Sequence, residues 1–265
     1  MRISIIIPAH NASRYIRRCL ESLIGQTYKS WDCIIIDDCS ADDTATKAED
    51  ITMGDERFAV IRLEKNVGIA MARNCGIRYA QGNALFFLDA DDWILPKMLE
   101  EVVSIAEGNP DVGRIFTPPM NIWFDGSESK WDVTPPGIHL HDSPYLFANT
   151  ACDPGHSTGC LYMLDNIPCR LYFPSVPIYE DLLFNMGLIF AGITTYISRD
   201  SLYMYYRHMD SAAYGDISVD TAKEIICILD ELAVQFNPDK DVYLRCKRFV
   251  WNLLISKLGN KSSLL

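Results

Sequence analysis

Ile3-Ser4-Ile5-Ile6-Ile7-Pro8-Ala9-His10-Asn11 opens the chain with an apolar, β-branched run that ends at a proline and a polar turn. Four more such runs follow, Cys33–Ile36, Ala59–Leu63, Ala84–Leu88 and Val112–Phe116, separated by segments of helical period. Runs that stay apolar without alternating suit a sheet buried on both faces. The pattern through residue 117 therefore predicts a mostly parallel α/β sheet covered by helices on either side. Between the first two runs, Tyr15, Ile16, Cys19, Leu20, Leu23 and Ile24 recur on one helical face, with Asn11 or Ser13 as the expected cap. Arg14, Arg17 and Arg18 fall largely off that stripe. Helices are also expected over Thr44–Met53, Ile69–Ala80 and Pro96–Glu107, the last with proline in its first turn and Gly108 after it.

With 265 residues, 49% hydrophobic and 22% charged, the chain can bury a full core. Lys+Arg 24 against Asp+Glu 35 gives a net charge of −11, which argues against a general nucleic-acid binder. The nine cysteines are odd in number and never spaced Cys-x-x-Cys. Neither a disulfide framework nor a structural zinc site is expected, and the thiols read as buried in a reducing cytosol. Ile3–Ile7 is too short for the apolar region of a signal peptide, and Leu182–Ile197, interrupted by Asn185, Gly187 and Gly192, falls short of a bilayer span. A cytoplasmic location is expected.

Beyond residue 117 the texture changes. Asn121–Phe124 and Lys130–Val133 flank Asp125-Gly126 as a hairpin, and Pro135, Pro136 and Gly137 mark a surface loop. A helix over Leu182–Phe190, strands near Ile193–Ile197 and Leu202–Tyr206, and helices over Val219–Phe236 and Val242–Leu258 complete the reading. The closing helix sets Arg245, Lys247, Arg248 and Lys257 beside Phe249, Trp251, Leu253 and Leu254. Packing on the domain is its plain reading, and a peripheral contact with the inner face of a membrane is the alternative.

In open parallel sheets, ligands bind beyond the carboxyl ends of the strands. Three polar clusters fall there: Pro8-Ala9-His10-Asn11, Asp37-Asp38-Cys39-Ser40 and Asp89-Ala90-Asp91-Asp92. If their strands are neighbours, these loops face one cleft. Asp89 and Asp91 leave a buried strand at alternate positions, a pattern suited to a hard divalent cation that keeps substrate phosphates in its shell. Taken alone, the triplet is equally a solvated acidic turn, and Asp42 and Asp43 are candidate helix caps. Convergence of several carboxylates favours a site, because they repel unless a cation or a hydrogen bond compensates.

Ile5-Ile6-Ile7-Pro8-Ala9-His10-Asn11, Ile36-Asp37-Asp38-Cys39-Ser40-Ala41-Asp42-Asp43-Thr44, Asn66-Val67-Gly68-Ile69-Ala70-Met71-Ala72-Arg73-Asn74-Cys75-Gly76 and Phe87-Leu88-Asp89-Ala90-Asp91-Asp92 follow one another in an order and spacing that resembles family 2 glycosyltransferases over roughly the first 120 residues. The resemblance implies a GT-A fold: a Rossmann-like, mixed but mostly parallel sheet flanked by helices, with further helices at the C-terminus. Within one such domain, residues 1–117 would form the donor half, 118–217 the acceptor half and 218–265 a helical segment. It further implies an inverting transfer of a sugar from a nucleoside-diphosphate sugar, a UDP-sugar above all, to a hydroxyl of a glycan or lipid-linked acceptor in cell-surface polysaccharide synthesis. Carried over, Pro8, Ala9, His10 and Asn11 would line the donor pocket, Asp38 would bond the uracil or ribose, Arg73 would lie near the nucleotide, and Asp89 and Ala90 would meet the ribose. Asp91 would hold a Mg2+ or Mn2+ ion.

In the second half, Tyr179-Glu180-Asp181-Leu182-Leu183-Phe184 resembles the family's Glu-Asp element, which would make Asp181 the general base and place Glu180 on the acceptor side. Without the upstream motifs, the two acids read equally as first-turn residues favoured by the helix dipole. Tyr206-Arg207-His208-Met209-Asp210-Ser211 resembles an element in which His208 would complete the metal shell or touch the diphosphate and Arg207 would clamp the diphosphate. His156 is a candidate acceptor contact, while His139 and His141 carry no signal. Trp93, directly after the acidic triplet, is the aromatic candidate for the donor pocket, with Trp123, Trp131, Tyr145 and Phe147 reading as packing.

Rival readings fail at particular loops. A dinucleotide-binding dehydrogenase needs G-x-G-x-x-G where Pro8-Ala9-His10-Asn11 stands, and no P-loop motif exists. A D-x-D phosphatase would carry its triplet after the first strand, not the fourth. The remaining alternative is a non-catalytic nucleotide-sugar sensor of the same fold.

Overall fold

The computed structural model describes residues 1–130, 135–143, 156–167, 172–208 and 217–258. The first third alternates as expected: β1 (Ile3–Ala9), α1 (Ile16–Ile24), β2 (Trp31–Asp37), α2 (Thr44–Thr52), β3 (Phe58–Arg62), α3 (Ile69–Tyr79) and β4 (Ala84–Phe87). There follow β5 (Trp93–Ile94), α4 (Met98–Gly108), β6 (Arg114–Phe116), β7 (Met120–Trp123), β8 (Glu128–Lys130), β9 (Gly137–His139) and β10 (Cys160–Met163). The chain closes with α5 (Glu180–Phe190), β11 (Thr195–Ile197), β12 (Tyr203–Arg207), α6 (Val219–Phe236) and α7 (Lys240–Leu258).

Eight strands form one sheet in the order β3-β2-β1-β4-β10-β6-β11-β9. In it β10 and β9 run against the other six. Every residue of β1 is buried, and its side chains alternate between two cores. Ile3, Ile5 and Ile7 pack with Ile16, Leu20, Leu23 and Val102 of α1 and α4. Ile6 faces the other way, with Ala72 of α3 and Phe184 and Leu188 of α5. A third cluster joins α5 to α6 and α7 and takes in Phe249, Val250 and Leu254, so the apolar face of the closing helix packs on the domain. Among the described residues, no helix is long and apolar enough to cross a membrane.

A second sheet, β5-β12-β7-β8, lies beside the first and carries His208 just past the end of β12. The expected hairpin around Asp125-Gly126 is present, with Gly126 at φ +83° and Asn121 opposite Ser129. Its second strand starts earlier, at Glu128, and its expected continuation through Trp131–Val133 lies outside the described residues, as do Tyr145, Phe147 and Met209–Ser211. Three strands, β5, β9 and β10, are additions to the sequence reading. Of these, β10 runs antiparallel between β4 and β6, so the two halves share one sheet.

α1 starts later than its expected caps, with Tyr15 at the N-cap and no side-chain capping bond. Asn11 and Ser13 serve the neighbouring loop: Asn11 Oδ1 accepts from Ala41 N at 2.8 Å, and Ser13 N donates to Asp42 at 3.1 Å. Against its burial, hydrogen bonds from Thr44 and Ser13 hold the Asp42 carboxyl down at about 2.

α3 lies close on β1 because Gly76 faces Ile6. A Cβ at Gly76 would overlap Ile6 Cγ2 and come within 3.2 Å of Cγ1, so exchanging the two branches gives no escape. Alanine normally gains about 1 kcal/mol over glycine inside a helix, whereas overpacking costs about 1–3 kcal/mol. Gly76→Ala is therefore expected to lower stability, seen as a lower urea midpoint at unchanged m-value. A raised midpoint would mean that α3 backs off the sheet freely.

Candidate active site

The loops after β1, β2 and β4 surround a cleft of about 690 Å³. Its lining includes Pro8, Ala9, His10, Asn11, Asp38, Asp89, Ala90, Asp91 and His208, all singled out from the sequence. Arg14, Tyr15, Asp42 and Tyr205 also line it and were not anticipated there, as do Ala12, Ser13, Ile69 and Ala72. Tyr15 belongs by spacing to the apolar stripe of α1, and only its place at the helix start turns it toward the cleft.

Asp38 is buried, and its two carboxylate oxygens accept from the amides of Val67 and Gly68 at 2.7 and 2.8 Å. It latches the start of α3, where Gly68 sits at φ +83°, a conformation other residues rarely adopt. His10 braces the same loop. Its Nδ1 lies 2.8 Å from the Asp38 carbonyl and must donate, which leaves Nε2 to accept from Asn11 at 3.0 Å and Asn66 at 3.2 Å.

The acidic triplet divides into three environments. Asp89 pairs with Arg73 at 2.8 Å. Asp91 Oδ2 meets His208 Nε2 at 2.8 Å. Burial, then the neighbouring Asp89, raises the Asp91 pKa, with the His208 bond opposing. Asp92 is fully buried and accepts from the Tyr203 hydroxyl at 2.5 Å and the Tyr206 amide at 2.8 Å, which ties the loop to β12. Burial and its two acidic neighbours push its pKa well up.

Four candidates stand elsewhere than expected. Arg73 lies behind the cleft wall, buried between Asp89 and Glu180, and is not in the lining. Glu180 turns to Arg73 at 2.7 Å, so its carboxylate is committed to an internal ion pair. Trp93 also stays out of the lining. It stacks under the Arg18 guanidinium at 3.7 Å, with Tyr206 on that cation at 4.5 Å, and Arg18 donates to the Asp91 carbonyl at 3.0 Å. Arg207 donates to Asn121 Oδ1 at 3.1 Å and lies over the Tyr205 ring at 4.3 Å, behind that cleft residue.

Asp181, like Arg73 and Trp93, is not in the cleft lining; it sits in the first turn of α5, entered through Tyr179 at φ +66°. Its Oδ2 is 3.9 Å from His156 Nδ1, and the His156 ring lies 6.1 Å from that of Tyr205 at the cleft wall. Burial, followed by Arg207, Arg114 and Arg73, lowers the His156 pKa, so this imidazole is neutral beside the carboxylate. Glu180 and Arg73 join the same helix end to Asp89.

Asp91 and His208 present a carboxylate oxygen and an imidazole nitrogen to one point, and His208 Nδ1 is buried without a partner. That donor pair fits a divalent cation, Mn2+ better than Mg2+ because of the imidazole. Among the described residues, no group of three or more His, Cys, Asp or Glu side chains could hold a metal ion. Further ligands would have to come from a bound diphosphate and water.

The glycosyl transferase family 2 model matches residues 4–165, the stretch that carries all three cleft loops. The chain is a family 2 glycosyltransferase. It is 31% identical over 207 residues, 77% of its length and 78% of the relative's, to TuaG of Bacillus subtilis, a glycosyltransferase named for teichuronic acid biosynthesis. Alignments with seven further bacterial glycosyltransferases span 16% to 63% of their lengths. The fold matches TarS of S. aureus in complex with UDP-GlcNAc, with a TM-score of 0.76 and 20% identity over 99% of this chain and 73% of that one. It also matches the mannosyltransferase PcManGT of Pyrobaculum calidifontis, in complex with GDP-Man and Mn2+, with a TM-score of 0.59 and 15% identity over 99% and 78% of the chains. The fold is thus the GT-A architecture, and these two structures hold different nucleotide-sugars, UDP-GlcNAc and GDP-Man.

Proposed function

We propose that this family 2 glycosyltransferase transfers a sugar, with inversion, from a UDP-sugar to a hydroxyl of a glycan or lipid-linked acceptor in cell-surface polysaccharide synthesis. One observation carries the reading: Asp38, Asp89, Asp91 and His208, from three separate loops, line one cleft beyond the strand ends. UDP as the nucleotude carrier draws on the TarS complex, and the polysaccharide role on the name of TuaG.

The donor lies along the cleft, with its base toward Pro8, His10 and Asp38. Each carboxylate oxygen of Asp38 retains a lone pair beyond its amide bond, enough to accept from the base. Asp91 and His208 would hold the Mg2+ or Mn2+ ion. Once bound there, the ion supplies positive charge to the departing diphosphate in a cleft that is otherwise acidic. Asp181 takes the proton from the incoming hydroxyl on the face opposite the leaving group. Glu180 is a poor candidate for that task, since its carboxylate is turned away into a 2.7 Å bond with the buried Arg73 guanidinium.

The test is a screen of UDP- and GDP-sugars for hydrolysis with and without Mn2+. Release of UDP from one donor, only with metal present, is the expected result. Tight UDP binding with no turnover of any donor would favour the sensor reading instead.

A further inference from the structure

Arg73 stands where the donor-side and acceptor-side residues meet. Only 2% exposed, it reaches Asp89 Oδ1 with one terminal nitrogen at 2.8 Å and Glu180 Oε1 with the other at 2.7 Å. Among the described residues its Nε has no hydrogen-bond partner, so the two terminal bonds orient the fork over the Phe173 ring, 5.3 Å away. Asp89 belongs to the loop after β4 and lines the cleft, whereas Glu180 begins α5 and directly precedes Asp181. The arginine itself comes from α3, which the Asp38 latch and the Gly76–Ile6 contact hold against the sheet. Asn74 adds a second tie between α3 and the segment before α5, exchanging two 2.8 Å bonds with the Phe173 backbone. A planar guanidinium that bonds two carboxylates fixes their separation in a way a lysine ammonium does not. Without it, the buried Glu180 and the half-buried Asp89 would repel.

We propose that Arg73 is a positioning residue that couples the two sides of the active site. By holding Asp89 and Glu180 at a set spacing, it sets the offset of the Asp181 carboxylate from the donor cleft. The proposal rests on the reading of Asp181 as the base, and it requires no contact between Arg73 and the nucleotide.

Glu180→Gln, Arg73→Lys, their double variant and Asp181→Asn are to be compared by UDP binding with Mn2+ and by kcat for transfer, each expressed per UDP-binding site so that unfolded protein does not count. Glu180→Gln should leave the UDP Kd unchanged and lower kcat about 10- to 100-fold, the effect of misplacing a reacting group by about an ångström. Arg73→Lys should weaken UDP binding as well, because Asp89 loses its anchor. In the double variant kcat should fall no further than in the worse single, since both changes break one linkage. Wild-type kcat in Glu180→Gln, or losses that multiply in the double variant, would overturn the proposal. If Arg73→Lys fails to fold, Glu180→Gln decides alone. Full turnover in Asp181→Asn alongside a loss in Glu180→Gln would discard the base assignment and leave the bridge standing, so the two failures are distinguishable.

Discussion

Asp181→Asn is expected to lower sugar transfer by about 10²–10⁴-fold, the usual contribution of a positioned general base, while UDP binding in the presence of Mn2+ stays at the wild-type level. The substitution is isosteric. The asparagine oxygen can still accept from the Leu182 amide, as Asp181 Oδ1 does at 2.8 Å, so the start of α5 should keep its shape. What is lost is the capacity to take a proton. The choice of Asp181 over its neighbour follows from their surroundings: Glu180, 9% exposed at the side chain, is neutralised by Arg73, whereas Asp181, 23% exposed, has a neutral imidazole 3.9 Å away. Binding is measured by calorimetry with UDP and Mn2+, and transfer by UDP release in the presence of acceptor. Wild-type turnover would remove Asp181 from the chemistry. A parallel loss of UDP binding would mean that the residue supports the donor pocket instead.

Position along the chain made part of this site legible. A short, continuous β-branched run such as Ile3–Ile7 suits a strand buried on both faces, and the polar residues just beyond such a strand emerge at the sheet's carboxyl edge. The same logic gathers Asp38, Asp89 and Asp91 around one cleft once their strands are neighbours, as they are in the sheet. What a side chain does once there depends on partners that are remote in sequence. Arg73 and Glu180 are 107 residues apart, and neither local spacing nor helical period could show that they pair and withdraw from the cleft. Trp93 follows the acidic triplet directly, yet the guanidinium of Arg18, 75 positions earlier in the fold's first helix, draws it to the outside of the loop. Strand β10 was hidden for a related reason: four residues that pair antiparallel between two parallel strands carry no pattern longer than themselves.

Asp91→Ala is expected to reverse sign with the metal, which makes it the sharper test of the acidic cleft. With Mn2+ present, UDP affinity should fall by about 100-fold or more, since losing a residue that merely orients a metal ligand already costs about 10- to 100-fold. Without Mn2+, the same variant should bind UDP at least as well as wild type. Removing Asp91 takes one negative charge away from a wall that also holds Asp89 and Asp38, and so relieves repulsion with the diphosphate. The two arms separate electrostatics from architecture. A collapsed loop would weaken binding in both conditions, and the anchors of this loop lie elsewhere, in Asp92 with Tyr203 and Tyr206 and in Arg73 with Asp89. His208→Ala should shift in the same direction with Mn2+ by a smaller factor, because the Asp91 carboxylate remains to hold the ion. If Asp91→Ala binds UDP normally with Mn2+ present, the ion is held by other groups and the pairing of Asp91 with His208 at 2.8 Å is a structural hydrogen bond of the loop.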